Sequence, residues 1–183
     1  MRQLERARER AGRETRLVAR EPEAGDEAGF PPEPFARAYD IARDAGLGLT
    51  CHAGEWAGPD SVRGALTLGV TRLGHGVRAI EDSALVEELA ERGTVLECCP
   101  TSNVVLAAYP DYAAHPFPVL RAAGVRVTLG SDDPPYWDAT IGGEYAVARR
   151  EWGYDDAELR AITRTALEAA FVPEDVRTAL LAR

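Results

Sequence analysis

The sequence predicts an α/β fold that forms part of an eight-stranded (β/α) barrel. Helical patterns alternate with short apolar segments, and a glycine stands between each helix and the strand that follows it. Four such glycines are spaced 23, 24 and 31 residues apart, which suits a helical crossover between parallel strands and is too long for hairpins. A complete barrel typically needs about 250 residues. Because this chain has 183 residues, we expect about four C-terminal βα units followed by C-terminal helices.

The predicted elements follow one another in a regular order. Apolar residues recur at helical spacing in the first helix, and Pro59, Asp82 and Pro116 mark the starts of the next three. Each helix ends at a glycine, which adopts the left-handed, helix-closing conformation without steric cost. These glycines are Gly46, Gly69, Gly93 and Gly124. The strands are predicted at residues 47–53, 71–74, 94–99 and 125–130.

The two ends of the chain do not follow this repeat. Residues 1–24 hold seven Arg and five Glu with few large apolar residues, so we predict a charged N-terminal arm without a barrel strand. Residues 25–183 form the predicted C-terminal half of the barrel. Beyond Tyr145 the pattern predicts only helices, one over residues 157–170 that begins at Asp155 or Asp156 and a last one that begins at Pro173.

The composition argues against several classes of partner. The formal net charge of −9 disfavours nucleic acid and anionic membranes, because phosphate contacts need clustered cations. The sequence has no apolar segment of membrane-spanning length, and its three cysteines include no CxxC pair, which predicts reduced thiols. We therefore expect a cytoplasmic protein whose ligand is a small neutral or cationic molecule.

Polar residues fit for metal or proton chemistry follow all four predicted strands. They are His52, His75, residues 101–103, and the pair Asp132 and Asp133. In parallel α/β folds the loops after the strands carry function, so these side chains are predicted to share one rim. Neutral imidazole and carboxylate together suit zinc or a similar divalent ion. Seen alone, however, the two aspartates before Pro134 are also typical of an Asx turn or a helix cap.

Three further polar residues have both a structural and a functional interpretation. Glu55 is either a proton donor whose pKa is raised in a dry pocket, or a surface residue that favours a helix start. Asn103 is interpreted mainly as a structural residue of a loop, although it could line the pocket. His115 precedes Pro116 and is expected at a loop or helix start rather than in the chemistry.

Five motifs in a fixed order resemble the adenosine deaminase family of zinc-dependent purine deaminases. The motifs are Gly25-Asp26-Glu27, His52-Ala53-Gly54-Glu55, Gly74-His75-Gly76, Cys99-Pro100-Thr101-Ser102-Asn103 and Ser131-Asp132-Asp133-Pro134. The resemblance implies a barrel of the metal-dependent hydrolase type, with one Zn²⁺ per complete active site.

The resemblance also implies roles for individual residues. His52 and Asp132 would be zinc ligands, which also makes Asp132 part of the catalytic set. Glu55 would protonate the purine ring nitrogen N1, and His75 would orient the zinc-bound water and help to deprotonate it. Asp133 would bind N7, and the backbone at Gly25 would meet N3.

The implied reaction is hydrolytic deamination of a 6-aminopurine nucleoside, adenosine to inosine plus ammonia. Adenine and aminodeoxyfutalosine remain alternative substrates. The family takes two further zinc ligands from a His-x-His pair at the end of its first strand, whereas this sequence has no histidine before His52. The second interpretation is therefore a truncated half-barrel without turnover, and its exposed strand edges predict self-association.

Overall fold

The computed structural model describes residues 18–19 and 27–183. Gly25 and most of the predicted arm over residues 1–24 lie outside the described residues. The sheet has five parallel strands in sequential order. They are β1 Val18–Ala19, β2 Gly48–Ala53, β3 Arg72–His75, β4 Val95–Cys98 and β5 Arg126–Leu129. The predicted α/β class with parallel βα units is thereby confirmed.

Strand β1 corrects the prediction that the first 24 residues contain no strand. Val18 and Ala19 pair in parallel with Gly48 and Leu49 of β2. A strand of two residues is too short to show the alternation by which strands are recognised in a sequence. The boundary between arm and barrel at residue 24 stays a prediction. So does self-association through strands β1 and β5, which end the described sheet.

Helices cover one face of the sheet, and most of them begin and end at the predicted signals. The Asp82 side chain accepts hydrogen bonds from the backbone of Ala84 and Leu85, and Asp155 forms a capping box with Glu158. The four helix-ending glycines have φ values between 67° and 88°, as predicted. No helix of the described residues has the length and apolar character needed to cross a membrane. The described helices are α1 Ala36–Asp44, α2 Pro59–Thr67, α3 Ser83–Arg92, α4 Pro100–Val105, α5 Phe117–Ala122, α6 Pro134–Trp137, α7 Ile141–Trp152, α8 Asp156–Ala169 and α9 Glu174–Leu181.

The rim of the sheet differs locally from the prediction. Residues 101–103 were expected in a loop, but they lie in α4, where Pro100 occupies the first turn that its fixed φ suits. His75 is the last residue of β3 rather than the first residue after it. Helices α6 and α7 begin before Tyr145, at Pro134 and Ile141. The rim is therefore more helical than the sequence indicated.

The two faces of the sheet differ in polarity. Leu73, Leu96 and Val127 point from β3, β4 and β5 into an apolar core that the helices cover. The alternate residues point to the other face, where Glu97 Oε2 accepts a hydrogen bond from Thr50 and Glu97 Oε1 lies 3.4 Å from Arg72 Nη1. This polar face leads up to the carboxyl ends of the strands.

Phe171, which lies between α8 and α9, packs on the polar face of the sheet. A Cβ at Gly48 would lie 2.4 Å from the Phe171 ring, so only glycine fits there. The Arg72 guanidinium stacks on the same ring, 3.6 Å from its centroid. The amino end of the polar face is thereby covered.

Candidate active site

A cavity of about 300 Å³ lies at the carboxyl ends of the strands. It brings together His52, His75 and Asp132, which the sequence predicted on one rim. Asp133 is exposed beside the cavity and does not line it, and Gly25 lies outside the described residues. The complete lining is Thr50, His52, Arg72, Gly74, His75, Glu97, Cys99 and Asp132.

Glu27 organises the loop that follows β2. Its buried carboxylate accepts hydrogen bonds from four consecutive backbone N–H groups, those of residues 54–57, at 2.7 to 3.2 Å. Burial alone would raise the pKa of Glu27, but contact with His52 and the backbone hydrogen bonds outweigh burial and lower the pKa to about 2. Glu27 is therefore ionised at neutral pH, and it holds the segment that carries Glu55 against the end of β2.

His52 presents a buried nitrogen without a hydrogen-bond partner among the described residues. Its Nε2 atom lies 3.1 Å from Glu27 Oε1 and 3.6 Å from Glu55 Oε2, but it makes no hydrogen bond. The ring packs edge-on against His75, with 4.8 Å between the centroids. A buried polar atom without a hydrogen bond is costly, so this nitrogen is available to a ligand. An imidazole nitrogen flanked by carboxylates suits metal binding.

Glu55 has the environment of a proton donor. Its side chain is buried, with 4% of the residue surface exposed. Burial, helped by the negative charges of Asp132 and Glu27, raises the pKa of Glu55 to about 7, while His52 and a hydrogen bond from Asn103 oppose this shift. The surface position, which was the alternative interpretation, is wrong because the carboxyl group is enclosed. A group that gives and takes a proton near pH 7 suits general acid catalysis.

Asn103 and His115 belong to the same buried network, although the sequence indicated mainly structural roles. Asn103 Nδ2 donates to Glu55 Oε1 at 2.8 Å and lies 3.2 Å from His75 Nδ1. On its other side, Asn103 Oδ1 lies 3.1 Å from His115 Nε2. His115 does precede the start of α5, as predicted, but its ring also points into this network.

The turn after β5 holds Asp132 in an uncommon backbone conformation. Its φ is 54°, and the φ of His75 is 62°, a region that residues other than glycine seldom adopt. Such conformations persist where the surroundings enforce them, and they cluster at functional sites. Ser102 Oγ donates to Asp132 Oδ2 at 2.7 Å, which ties α4 to this turn. Asp133 stands at the N-cap position of α6 but makes no side-chain cap hydrogen bond there.

Two sets of possible metal ligands meet at His75. The ligand atoms of His52, Glu55 and His75 lie within 4.8 Å of one another, and so do those of His75, Cys99 and Asp132. The two predicted ligands, His52 and Asp132, thus share the cavity but fall in different sets. Burial raises the pKa of the Cys99 thiol, which keeps the thiol protonated and a poor ligand. Imidazole and carboxylate groups, with the unpartnered His52 nitrogen, fit a divalent metal ion.

The sequence did not assign a role to two buried glutamates that shape the rim. Glu27 stands in one of the matched motifs, so the motif was the available signal. Glu144 of α7 has 1% of its surface exposed and accepts a hydrogen bond from the backbone N–H of Thr101 at 3.3 Å. Burial raises the pKa of Glu144. Its partner lies 43 residues away, so no local pattern could have revealed this contact.

Comparisons of sequence point to one family. The family described as Adenosine deaminase matches residues 3–183, beginning inside the segment predicted as an arm. The chain is 57% identical to an adenine deaminase of Agrobacterium fabrum and 56% identical to one of Chelativorans sp., in each case over 161 residues. Each alignment covers 87% of this chain and 50% of the relative. The chain therefore spans about half the length of the curated relatives it matches.

Solved structures agree with this assignment. The adenine deaminase of Arthrobacter aurescens superposes with a TM-score of 0.83 at 30% identity, covering 92% of this chain and 50% of that one. An amidohydrolase of Burkholderia ambifaria with bound Zn has a TM-score of 0.81 at 27% identity, covering 94% of this chain and 48% of that one. These similarities confirm the partial α/β barrel. With the family match over nearly the whole sequence, they show that the chain belongs to the adenosine deaminase family.

Proposed function

We propose that this chain carries out the hydrolytic deamination of adenine. The observation that carries the proposal is the buried Glu55 carboxyl, whose pKa is raised to about 7 next to the cavity that His52, His75 and Asp132 line. Relatives named adenine deaminase, 54% to 57% identical to this chain, support the free base as the substrate. Adenine was an alternative at the level of the sequence, and it replaces adenosine as the favoured substrate.

The residues at and beside the cavity have separate roles in the proposed reaction. His52 and Asp132 would hold the metal ion, for which the donor types and the Zn-containing structural neighbour support zinc. When bound, Zn²⁺ lowers the pKa of water to about 7 and so supplies a nucleophile at neutral pH. Glu55 gives its proton to ring nitrogen N1 while the oxygen of the activated water adds to C6, and His75 orients this water. The Glu55 carboxylate then carries the hydroxyl proton to the amino group, the C6–N bond breaks, and ammonia and the 6-oxopurine are released. The proton that the water lost on activation restores the Glu55 carboxyl group.

Two further contacts complete the proposed site. Asp133 is exposed at the edge of the cavity, where its carboxylate is free of a capping role and accessible to N7 of the purine. The backbone at Gly25 is proposed to meet N3, as the family resemblance implies. Both contacts would orient the ring rather than take part in proton transfer.

A substrate comparison tests the proposal. The purified chain is loaded with Zn²⁺, its metal content is measured, and adenine and adenosine are followed by ultraviolet absorbance and ammonia release. We expect kcat/KM for adenine to exceed that for adenosine by at least about 100-fold, in keeping with the relatives that are named adenine deaminase. Faster turnover of adenosine or aminodeoxyfutalosine would overturn the choice of substrate. A metal-loaded chain that turns over none of these three compounds would support the interpretation as an inactive half-barrel.

A further inference from the structure

A chain of hydrogen bonds leads from the backbone of α5 to Glu55 and His75 of the proposed active site. The Phe117 N–H donates to His115 Nδ1 at 3.2 Å. His115 Nε2 lies 3.1 Å from Asn103 Oδ1, and Asn103 Nδ2 lies 2.8 Å from Glu55 Oε1 and 3.2 Å from His75 Nδ1. All these side chains are at least 95% buried, so water does not compete with the bonds.

The backbone N–H of Phe117 fixes the direction of every bond in this chain. A backbone amide only donates, so His115 Nδ1 accepts and carries no hydrogen. Burial, assisted by the charge of His75, lowers the pKa of His115 to about 3, so the ring is neutral and its single hydrogen is on Nε2. That hydrogen is donated to Asn103 Oδ1, which leaves the amino group of Asn103 facing Glu55.

The opposite orientation of the Asn103 amide is incompatible with its neighbours. It would turn the amino group of Asn103 toward the N–H of His115, 3.1 Å away, so that two donors would face each other. With the amino group facing His75 Nδ1, a hydrogen on that nitrogen is disfavoured because two donors would meet.

Aromatic packing holds the plane of the His115 ring, and the hydrogen bonds of its two nitrogens set which way round the ring lies. The ring stacks on Trp152 with 5.8 Å between centroids and an angle of 30°, and Tyr109 packs against it at 5.1 Å. Phe117 stacks on the same Trp152 at 4.9 Å. The Trp152 indole is itself fixed by a hydrogen bond to the Tyr112 carbonyl oxygen at 2.8 Å. The orientation of His115 is therefore set by the core of the protein.

We propose that Asn103 and His115 are positioning residues of the active site. Through His115, the Asn103 amide has one orientation, in which its amino group donates to Glu55 and to His75 together. This orients the carboxyl group of Glu55 and keeps the ring hydrogen of His75 on Nε2. The catalytic consequence rests on the proposed deaminase function, whereas the hydrogen-bond directions rest on the geometry of the chain alone.

The wild-type chain tests these directions without a variant that has to fold. Nitrogen chemical shifts of the ¹⁵N-histidine-labelled chain at pH 7 identify which ring nitrogen of each histidine carries hydrogen, and the signal lost in His115→Gln identifies His115. We expect the Nε2–H tautomer for both His115 and His75. A His115 ring with hydrogen on Nδ1, or on both nitrogens, overturns the proposal. This result does not depend on turnover, so it stands apart from the proposed function.

Variants of the two residues test the positioning role. In Asn103→Leu, the His75 shifts should move toward a mixture of tautomers. For an active enzyme, Asn103→Leu and His115→Leu should each lower kcat about 10- to 100-fold, the size expected for a hydrogen bond to a charged group, with KM changed less than about threefold. His115→Gln can still donate to Asn103 and should retain kcat within about threefold.

A buried hydroxyl elsewhere in the sheet provides the matched control. Thr128 donates to the Leu96 carbonyl oxygen at 3.4 Å, so Thr128→Val loses a buried hydrogen bond outside the network and should keep the wild-type His75 shifts. Unchanged His75 shifts in Asn103→Leu overturn the proposal whether or not the chain has turnover. If the chain is active, two further results would overturn the proposal. One is a wild-type kcat in both Leu variants, and the other is a kcat of His115→Gln as low as that of His115→Leu. An inactive wild-type chain with the expected shifts counts against the proposed function only.

Discussion

The rim of the sheet has two sides that hold their carboxylates in different ways. On the β2–β4 side, Glu27 and Glu55 are buried and hydrogen-bonded inside the protein. On the β5 side, Asp132 and Asp133 are exposed, and Ser102 donates to Asp132. The same chemical group has a raised pKa in Glu55, where burial dominates, and a lowered pKa in Glu27, where His52 and backbone N–H groups outweigh burial. The exposed aspartates stay open to a metal or a ligand. Burial and hydrogen bonding, rather than residue type, distinguish the buried glutamates from the exposed aspartates on this rim.

The largest expected effect comes from the proton donor on the β2–β4 side. Glu55→Gln keeps the size of the side chain but removes the proton to be transferred. We expect kcat on adenine to fall about 10²- to 10⁴-fold with the zinc content unchanged, as measured by turnover and metal analysis. Glu88→Gln, at a half-buried glutamate outside the cavity that pairs with Arg63 and Arg92, should retain the wild-type rate. A nearly fully active Glu55→Gln would show that another group donates the proton.

A second prediction compares how much a carboxylate on each side of the rim contributes to the free energy of unfolding. Glu27→Gln replaces a buried carboxylate that accepts four backbone hydrogen bonds with a neutral amide that presents its own donors. We expect the free energy of unfolding in urea to fall by about 2 to 4 kcal/mol. Asp133→Asn on the exposed side should change it by less than about 0.5 kcal/mol. Equal effects at the two positions would remove the distinction between the sides.

The pH dependence of stability tests the buried side through His115. Its folded pKa of about 3 lies below the unfolded value of about 6.5, so the unfolded chain binds a proton first as the pH falls. The titration of His115 should lower stability by about 2 kcal/mol between pH 6.5 and 5, at up to about 1.4 kcal/mol per pH unit, and should keep lowering it toward pH 3. Glu55, whose pKa is raised to about 7, contributes a gain of similar size between pH 6.5 and 5.

The difference between the wild type and His115→Gln isolates this titration. The groups around the ring are Asn103, Tyr109 and Trp152, with Glu55 and His75 reached through Asn103. Urea unfolding at each pH should show that the free energy of unfolding of the wild type falls relative to that of His115→Gln by about 2 kcal/mol between pH 6.5 and 5. If the free energies of unfolding of the two proteins change in parallel with pH, His115 binds a proton as readily in the folded chain as in the unfolded chain.

The smallest effect is expected on the β5 side. Ser102→Ala removes the hydrogen bond to the exposed Asp132 carboxylate. The free energy of unfolding should fall by no more than about 1 kcal/mol, and zinc affinity, measured by competition with a chelator, should weaken about 10-fold. A stability loss as large as that of Glu27→Gln would show that Asp132 is anchored as firmly as the buried carboxylates.

The sequence predicted the features that local patterns encode. The glycines that close the helices, the Asp82 and Asp155 caps and the four main strands appear where they were expected, because each depends on residues a few positions apart. The convergence of His52, His75 and Asp132 followed from the rule that parallel strands end at one rim.

The remaining contacts could not be predicted because packing decides them. The Glu27 carboxylate reaches backbone groups 27 to 30 residues away, and Asn103 reaches Glu55 over 48 residues. The direction of the Asn103 amide depends on His115, whose role is set by the aromatic side chains around it. The sequence shows these residues but not which buried partners they meet.

Zinc binding by the wild type and by His52→Ala tests the central claim, that this rim forms a metal site in which His52 is a ligand. Equilibrium titration of the purified chain should give one Zn²⁺ per wild-type chain. The affinity of His52→Ala should be at least about 100-fold weaker, because an imidazole ligand is lost. Circular dichroism would verify that the variant is folded. A wild-type chain that binds no zinc, or a folded His52→Ala that binds zinc as tightly as the wild type, would contradict the account.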